Sequence, residues 1–126
     1  MTAPKVLISD KMDPKAAAIF KERGIDVDVI TGKTKDELIA MIGDYDGLAI
    51  RSATKVTADV LAAAKNLKVV GRAGIGVDNV DIPSASKQGV IVMNTPFGNS
   101  ITTAEHAIAM MFALARQIPE ANALTQ

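Results

Sequence analysis

Arg51 and Ser52 stand where an apolar run, Gly47-Leu48-Ala49-Ile50, gives way to the polar stretch Ala53-Thr54-Lys55. A guanidinium at that place offers a planar fork of donors to a carboxylate or phosphate, and a serine hydroxyl adds a short donor beside it. Position alone leaves two roles open for Arg51: an anion ligand, or a solvated loop residue paired with a neighbouring acid. A second apolar run, Val69-Val70, ends in Gly71-Arg72-Ala73-Gly74-Ile75-Gly76-Val77-Asp78-Asn79. Glycines at 74 and 76 let main chain approach a ligand and present backbone N–H groups to it. The spacing imitates a dinucleotide fingerprint, but Asn79 replaces the third glycine and no strong helix follows. Met93-Asn94 also stands where an acidic residue is needed about 20 positions on. The segment reads better as a tight turn than as a phosphate cradle.

Other candidates for chemistry are weaker. His106 is the only histidine; it sits in a helical stretch beside Glu105, and acid–base work would need a partner and a cleft, so it reads as structural. Asp78 and Asp81 lack the ligand number of a metal loop, so no metal site is expected. No nucleophile–base pair is evident. Lys33-Thr34-Lys35-Asp36-Glu37 reads as a solvated helix start.

These residues need a frame. Lys5–Ser9, Val27–Ile30, Gly47–Ile50, Lys68–Gly71 and Val90–Met93 read as strands, apolar throughout rather than alternating. Helices are expected between them. One is opened by Asp13-Pro14 and closed by Gly24; one starts on Thr34 and Glu37 at capping-box spacing; one is capped by Thr57; a short one covers Ile82 to Gln88 with Pro83 at its entry. A long helix follows from about Ser100 to Gln117, with Pro119 as its stop. The βα rhythm predicts an α/β, flavodoxin-like fold. Its five-stranded parallel sheet, in the order 2-1-3-4-5, has helices on both faces. Ligands of such sheets bind beyond the carboxyl ends of the strands. That is where Arg51 and Gly74 fall.

The long helix carries the nine-residue apolar run Ala107–Ala115, which has no polar side. A surface helix needs one apolar stripe; one without a polar face expects protein all round it. The chain ends eleven residues beyond Ala115. A larger protein is expected, or a protomer that pairs as a homo-oligomer through helix 101–118.

The 126 residues carry 14 basic and 14 acidic side chains and no cysteine. A net charge of zero gives no field to attract nucleic acid or an anionic membrane, so neither is expected as a partner. Without cysteine there is neither a disulfide framework nor a thiolate metal site. No signal core opens the chain and no apolar run reaches membrane-spanning length, so a cytoplasmic setting is expected.

Taken together, Lys5–Asp10, Gly47–Thr57, Val69–Asp81, Val92–Ser100, Thr103–His106 and Leu114–Arg116 resemble the D-isomer-specific 2-hydroxyacid dehydrogenases over essentially the whole chain. The resemblance is greatest to members that oxidise 3-phosphoglycerate to 3-phosphohydroxypyruvate with NAD, in serine synthesis. It implies a substrate-binding domain over residues 1–98. It also implies that 99–126 form a crossover helix entering a nucleotide-binding domain, which in the family makes the dimer interface. By the same resemblance Arg51, Ser52 and Asn99 contact a small anionic substrate. Arg72-Ala73-Gly74 holds its carboxylate, largely through main chain, and Ile75 and Thr103 lie on the nicotinamide side of NAD. His106 is not the family's catalytic histidine. The family's catalytic arginine, glutamate and histidine, and its Gly-rich NAD fingerprint, correspond to positions beyond residue 126. No catalytic residue is therefore expected within the chain, which reads as an N-terminal fragment inactive alone. Two alternatives stay open: a glyoxylate or hydroxypyruvate reductase of the same family, and a non-enzymatic, corepressor-like relative. A receiver-like signalling module would want an aspartate where Arg51-Ser52 stands.

Overall fold

The computed structural model describes residues 2–126. The chain divides into two units, one running through Pro96 and the other spanning Phe97–Gln126. The first contains β1 (Lys5–Ile8), α1 (Lys15–Glu22), β2 (Asp26–Val29), α2 (Lys35–Met41), a 3-10 turn (Ile42–Asp44), β3 (Gly47–Ile50), α3 (Ala58–Ala63), β4 (Val69–Arg72), α4 (Ile82–Gln88) and β5 (Ile91–Met93). All five strands are parallel, in the order β2-β1-β3-β4-β5. This is the order expected from the βα rhythm.

Two neighbouring rows across the sheet set its faces. Leu7, Leu48, Val70 and Val92 lie opposite one another on four strands. They belong to a core completed by Leu38, Ile42, Val60, Leu61 and Ala85 of α2, the 3-10 turn, α3 and α4. Side chains alternate across a strand, so the next row, Ile8, Ala49, Gly71 and Met93, takes the other face. There Ala16 and Phe20 of α1 line an apolar groove with Ala49, Gly71 and Met93. Helices thus lie on both faces, while Ile91 and Met93 on the edge strand β5 stay exposed.

Local chemistry explains the ends of the elements. Thr34 and Glu37 form both bonds of the expected capping box. Asp81 caps α4 through Ser84 N–H, and Gly89 closes it at φ +75°. The Asp13 carboxylate accepts Lys15 N–H at 2.8 Å, beside Pro14. Tyr45, the only tyrosine, is buried and donates its hydroxyl to Asp28 on β2 at 2.8 Å.

Three expectations are corrected. β2 starts at Asp26 and reads Asp-Val-Asp-Val, alternating rather than apolar throughout, and as an edge strand it holds no fully buried residue. Thr57 occupies the cap position of α3, but its hydroxyl makes no capping bond and is buried without a partner. Pro119 does not end the chain's helical structure. In the second unit α5 (Ser100–Ala115) stops two residues short of Gln117, and Pro119 lies in the first turn of a further helix, α6 (Ile118–Thr125). Proline suits that place, where its missing N–H has no helical partner to lose. The break falls at Gln117, the one non-glycine residue with positive φ among those described, at +50°. On α5, Ile101, Ile108, Met110, Met111, Phe112 and Leu114 are all at least half exposed. No helix among the described residues is long and apolar enough to cross a membrane.

Candidate functional site

Parallel strands deliver all their exits to one rim, and three of those exits converge. β1 ends in Ser9-Asp10, β3 in the loop 51–55, and β4 in the loop 73–79. The third loop is sewn to the second: Ala73 N–H donates to Ile50 at 2.8 Å, and Val56 and Val80 form a parallel bridge.

Asp10 lies at the centre of the rim, only 5% exposed. Its Oδ2 accepts the N–H groups of Arg51 at 2.7 Å and Thr54 at 3.0 Å, and its Oδ1 accepts the Thr54 hydroxyl. Thr54 Oγ1 also lies 2.8 Å from Ser9 Oγ. From the other side, Asn79 donates its carboxamide to the carbonyls of Arg51 at 2.7 Å and Thr54 at 2.6 Å. Burial pushes the Asp10 carboxyl up, but the bonds from Thr54, Arg51 and Ala53 together outweigh it and hold the pKa below its ordinary 3.8.

With its backbone held in this way, Arg51 turns its side chain outward. The guanidinium donates to the Lys11 carbonyl at 3.1 Å. No carboxylate among the described residues is within ion-pair distance of it. Its partnership with a neighbouring acid, one of the two roles open from sequence, is therefore not formed. Ser52 and Lys55 are exposed beside it and line, with Asp78, Asn79 and Asp81, a groove of about 450 Å³.

Arg72 is used differently. Its side chain is 13% exposed, and Nη1 donates to Asp78 at 2.7 Å and to the Gly76 carbonyl. The bond from Arg72 is the first cause of a lowered Asp78 pKa. The loop thus wraps its own arginine. A Cβ at Gly76 would sit 3.0 Å from Asp78 Oδ1 and 3.3 Å from Arg72 Nη1; at Gly74 it would sit 3.4 Å from Arg72 Nε. The space a phosphate cradle would need is filled by the loop's own side chains, so Gly74-x-Gly76 does not fit a pyrophosphate. The carbonyls of Gly74 and Ile75 are taken by Thr95 N–H and Asn94 Nδ2. The Ile75 side chain is 45% exposed.

Of the residues singled out from sequence, Arg51, Ser52, Arg72, Ala73, Gly74 and Ile75 come together on this rim. Asn99 and Thr103 belong to the second unit, Asn99 at the start of α5 with no side-chain capping bond and Thr103 in its first turn, both exposed. Sequence reasoning missed Asp10, Thr54 and the donor role of Asn79. The signal available was a carboxylate placed directly after a buried apolar strand.

A family profile described as D-isomer specific 2-hydroxyacid dehydrogenase, catalytic domain, matches residues 6–125. The chain is 55% identical over 119 residues to a protein of Sus scrofa named D-3-phosphoglycerate dehydrogenase, covering 94% of this chain and 22% of that protein. It thus spans about a fifth of the length of the curated relatives it matches. Among solved structures, a protein of Pyrococcus horikoshii superposes with a TM-score of 0.84 at 34% identity, over 94% of this chain and 35% of that one. The NAD+-bound 3-phosphoglycerate dehydrogenase of Entamoeba histolytica superposes with a TM-score of 0.77 at 31% identity, over 88% and 39% respectively.

Two outcomes follow from the rim. Asp10 has a depressed folded pKa, so its stabilisation is full above 3.8 and is lost as pH falls through the folded value. Urea midpoints should therefore drop more between about pH 6 and pH 3 for the wild-type chain than for Asp10→Asn; equal drops would contradict the hydrogen bonds that hold this carboxylate ionised. For the β4 loop, Gly76→Ala and Asp78→Asn should each speed amide hydrogen exchange across 74–78 and leave thermal unfolding nearly unchanged. The double variant should add little to either, because both break one Arg72 contact.

Proposed function

Because the chain belongs to the D-isomer specific 2-hydroxyacid dehydrogenases, a family of oxidoreductases, we propose that it forms the substrate-anion side of an NAD-dependent D-3-phosphoglycerate dehydrogenase. One observation carries the reading. Arg51 is a guanidinium held at the loop's exposed edge with no carboxylate to neutralise it, beside Ser52 and Lys55. A phosphorylated hydroxy acid carries two anionic ends, and two cations with a hydroxyl suit one of them. The other end, the carboxylate, is assigned to the Arg72-Ala73-Gly74 turn. There the substrate takes main-chain N–H groups that in this structure donate within the protein, that of Ala73 to the Ile50 carbonyl and that of Gly74 to the Arg72 carbonyl, since the Arg72 guanidinium is engaged by Asp78 and Gly76. Asn99 supplies a further hydrogen bond to substrate.

The cofactor in this reading is NAD, which supplies the hydride acceptor. The contribution of this chain to it is limited to the exposed Ile75 and to Thr103, on the nicotinamide side. Residues 1–98 are the substrate-binding part, and 99–126 lead toward the nucleotide-binding part. The work takes place in the cytoplasm, on a small metabolite.

The exposed apolar side chains of α5 support self-association through residues 101–118. Burying each Leu, Met, Ile or Phe is worth about 1.5–3 kcal/mol, and side chains spaced at 100° per residue cannot all face one surface. A two-fold dimer is the simplest arrangement. Light scattering on the purified 126-residue chain should show dimers, and a stable monomer at high concentration would refute this. An NADH absorbance assay on the same sample should show no turnover, since no general base and no Gly-rich phosphate cradle stand among these residues.

Binding tests the substrate. Titration with D-3-phosphoglycerate, followed by amide NMR, should shift residues 51–55 and 73–76. D-glycerate, which lacks the phosphate, should do so more weakly. Arg51→Ala should weaken the phosphorylated ligand roughly 10- to 150-fold, the range given by a charge-assisted contact of about 1.5–3 kcal/mol. An unchanged affinity would reduce Arg51 to a solvated loop residue.

A further inference from the structure

The buried carboxylate of Asp10 takes no part in the substrate contacts proposed above, and it forms no ion pair among the described residues. A buried charge without an ion partner needs hydrogen bonds to be tolerated. Here they come from one loop only: the N–H groups of Arg51 and Thr54 and the Thr54 hydroxyl, 41 to 44 residues away in sequence. On the opposite side of the same loop, Asn79 donates to the carbonyls of the same two residues. Acceptor and donor therefore grip one short segment at matching points, the N–H and C=O of residue 51 and of residue 54.

We infer that Asp10 is a positioning residue: with Asn79 opposite, its carboxylate fixes the backbone of the loop 51–55 so that the Arg51 and Ser52 side chains face an anionic ligand. The inference rests on the reading that this loop holds the substrate's anionic end. It adds a specificity consequence. Backbone N–H groups gathered in a loop form a ready anion site. Asp10 occupies that site from within the protein and takes the amides of Arg51 and Thr54. The external anion is left with the planar guanidinium, the serine hydroxyl and Lys55. Asp10 itself touches no ligand. A loose loop would still carry Arg51, but would hold it in many orientations, and small misplacements of a positioning group cost binding steeply.

The test uses the whole 126-residue chain and two readouts, hydrogen exchange at the amides of Arg51 and Thr54, and the affinity for D-3-phosphoglycerate by NMR titration. Asp10→Ala should abolish protection at both amides and weaken binding at least about tenfold. Asp10→Asn keeps an acceptor oxygen for both amides and turns an NH2 toward Thr54 Oγ1, which can accept. It should restore protection and bind within about threefold of wild type. Asn79→Asp cannot donate to the two carbonyls and should weaken binding while Asp10 still protects both amides. Should Asp10→Ala fail to fold, Thr54→Val removes one bond to the carboxylate and leaves the others, and should give an intermediate loss. Wild-type protection and affinity in Asp10→Ala, or in Thr54→Val if that variant is the one measured, would overturn the inference. So would an Asp10→Asn loss as large as that of Asp10→Ala, because charge and not hydrogen bonding would then be at work. If the wild-type chain ignores D-3-phosphoglycerate altogether, the substrate reading falls, while the exchange readout still decides whether Asp10 fixes the loop.

Discussion

The middle strand sets the geometry of everything at the rim. β3 is hydrogen-bonded on both sides, to β1 through Leu7–Leu48 and Ile8–Ala49, and to β4 through Ile50–Arg72. Because all three strands are parallel, their exits are level, and the loops after them meet at short range. A one-residue slip of β3 would do two things at once. It would turn Leu48 and Ile50 out of the core, and it would carry Arg51 N–H away from Asp10. The same register that buries the apolar row therefore places the polar one. Nothing at the site is independently adjustable, and this is why short strands suffice to build it.

The two arginines of the rim show how one residue type is given two duties by its surroundings. Arg51 leaves a strand whose following amides are taken up by Asp10, so its side chain is free to face outward. Arg72 lies one strand over, opposite Ile50, and is followed by two glycines close enough for main chain to fold back over the guanidinium. Asp78 then completes the enclosure. The glycines serve the arginine, not a phosphate, and that explains why a sequence so close to a dinucleotide fingerprint lacks the helix and the acidic residue that would complete one.

Features governed by neighbours in sequence were legible in it. The capping box at Thr34 and Glu37, the helix Ile82–Gln88, the strand Gly47–Ile50 and the parallel order all follow from spacing and residue type. What failed depended on conformation and contacts that residue type alone does not fix. Thr57 has the right type and place for a cap, yet its hydroxyl is buried unpaired. Pro119 obeys the rule that proline cannot continue a helix, but the same chemistry lets it begin one, and only the left-handed turn at Gln117 shows which applies. The role of Asp10 was not visible because its partners at 51 and 54 are local only in three dimensions.

The connectivity of the sheet also bears on how the molecule is built in time. β3–β4 and β4–β5 join strands that are consecutive in sequence, as does β1–β2; only β1–β3 steps over an intervening strand. Most of the sheet can therefore grow by adding the next strand to the last, in the order in which a ribosome delivers them. The rim cannot. Its bonds require Asp10, Thr54 and Asn79 together, so the segment that ends at Asn79 must be made and docked before the loop at 51–55 has both of its anchors. Recognition is thus assembled late, on a scaffold whose central strands are already paired. The β1–β3 pairing already spans the 41 residues that separate Asp10 from Arg51, so the polar network adds only the shorter closure from Thr54 to Asn79.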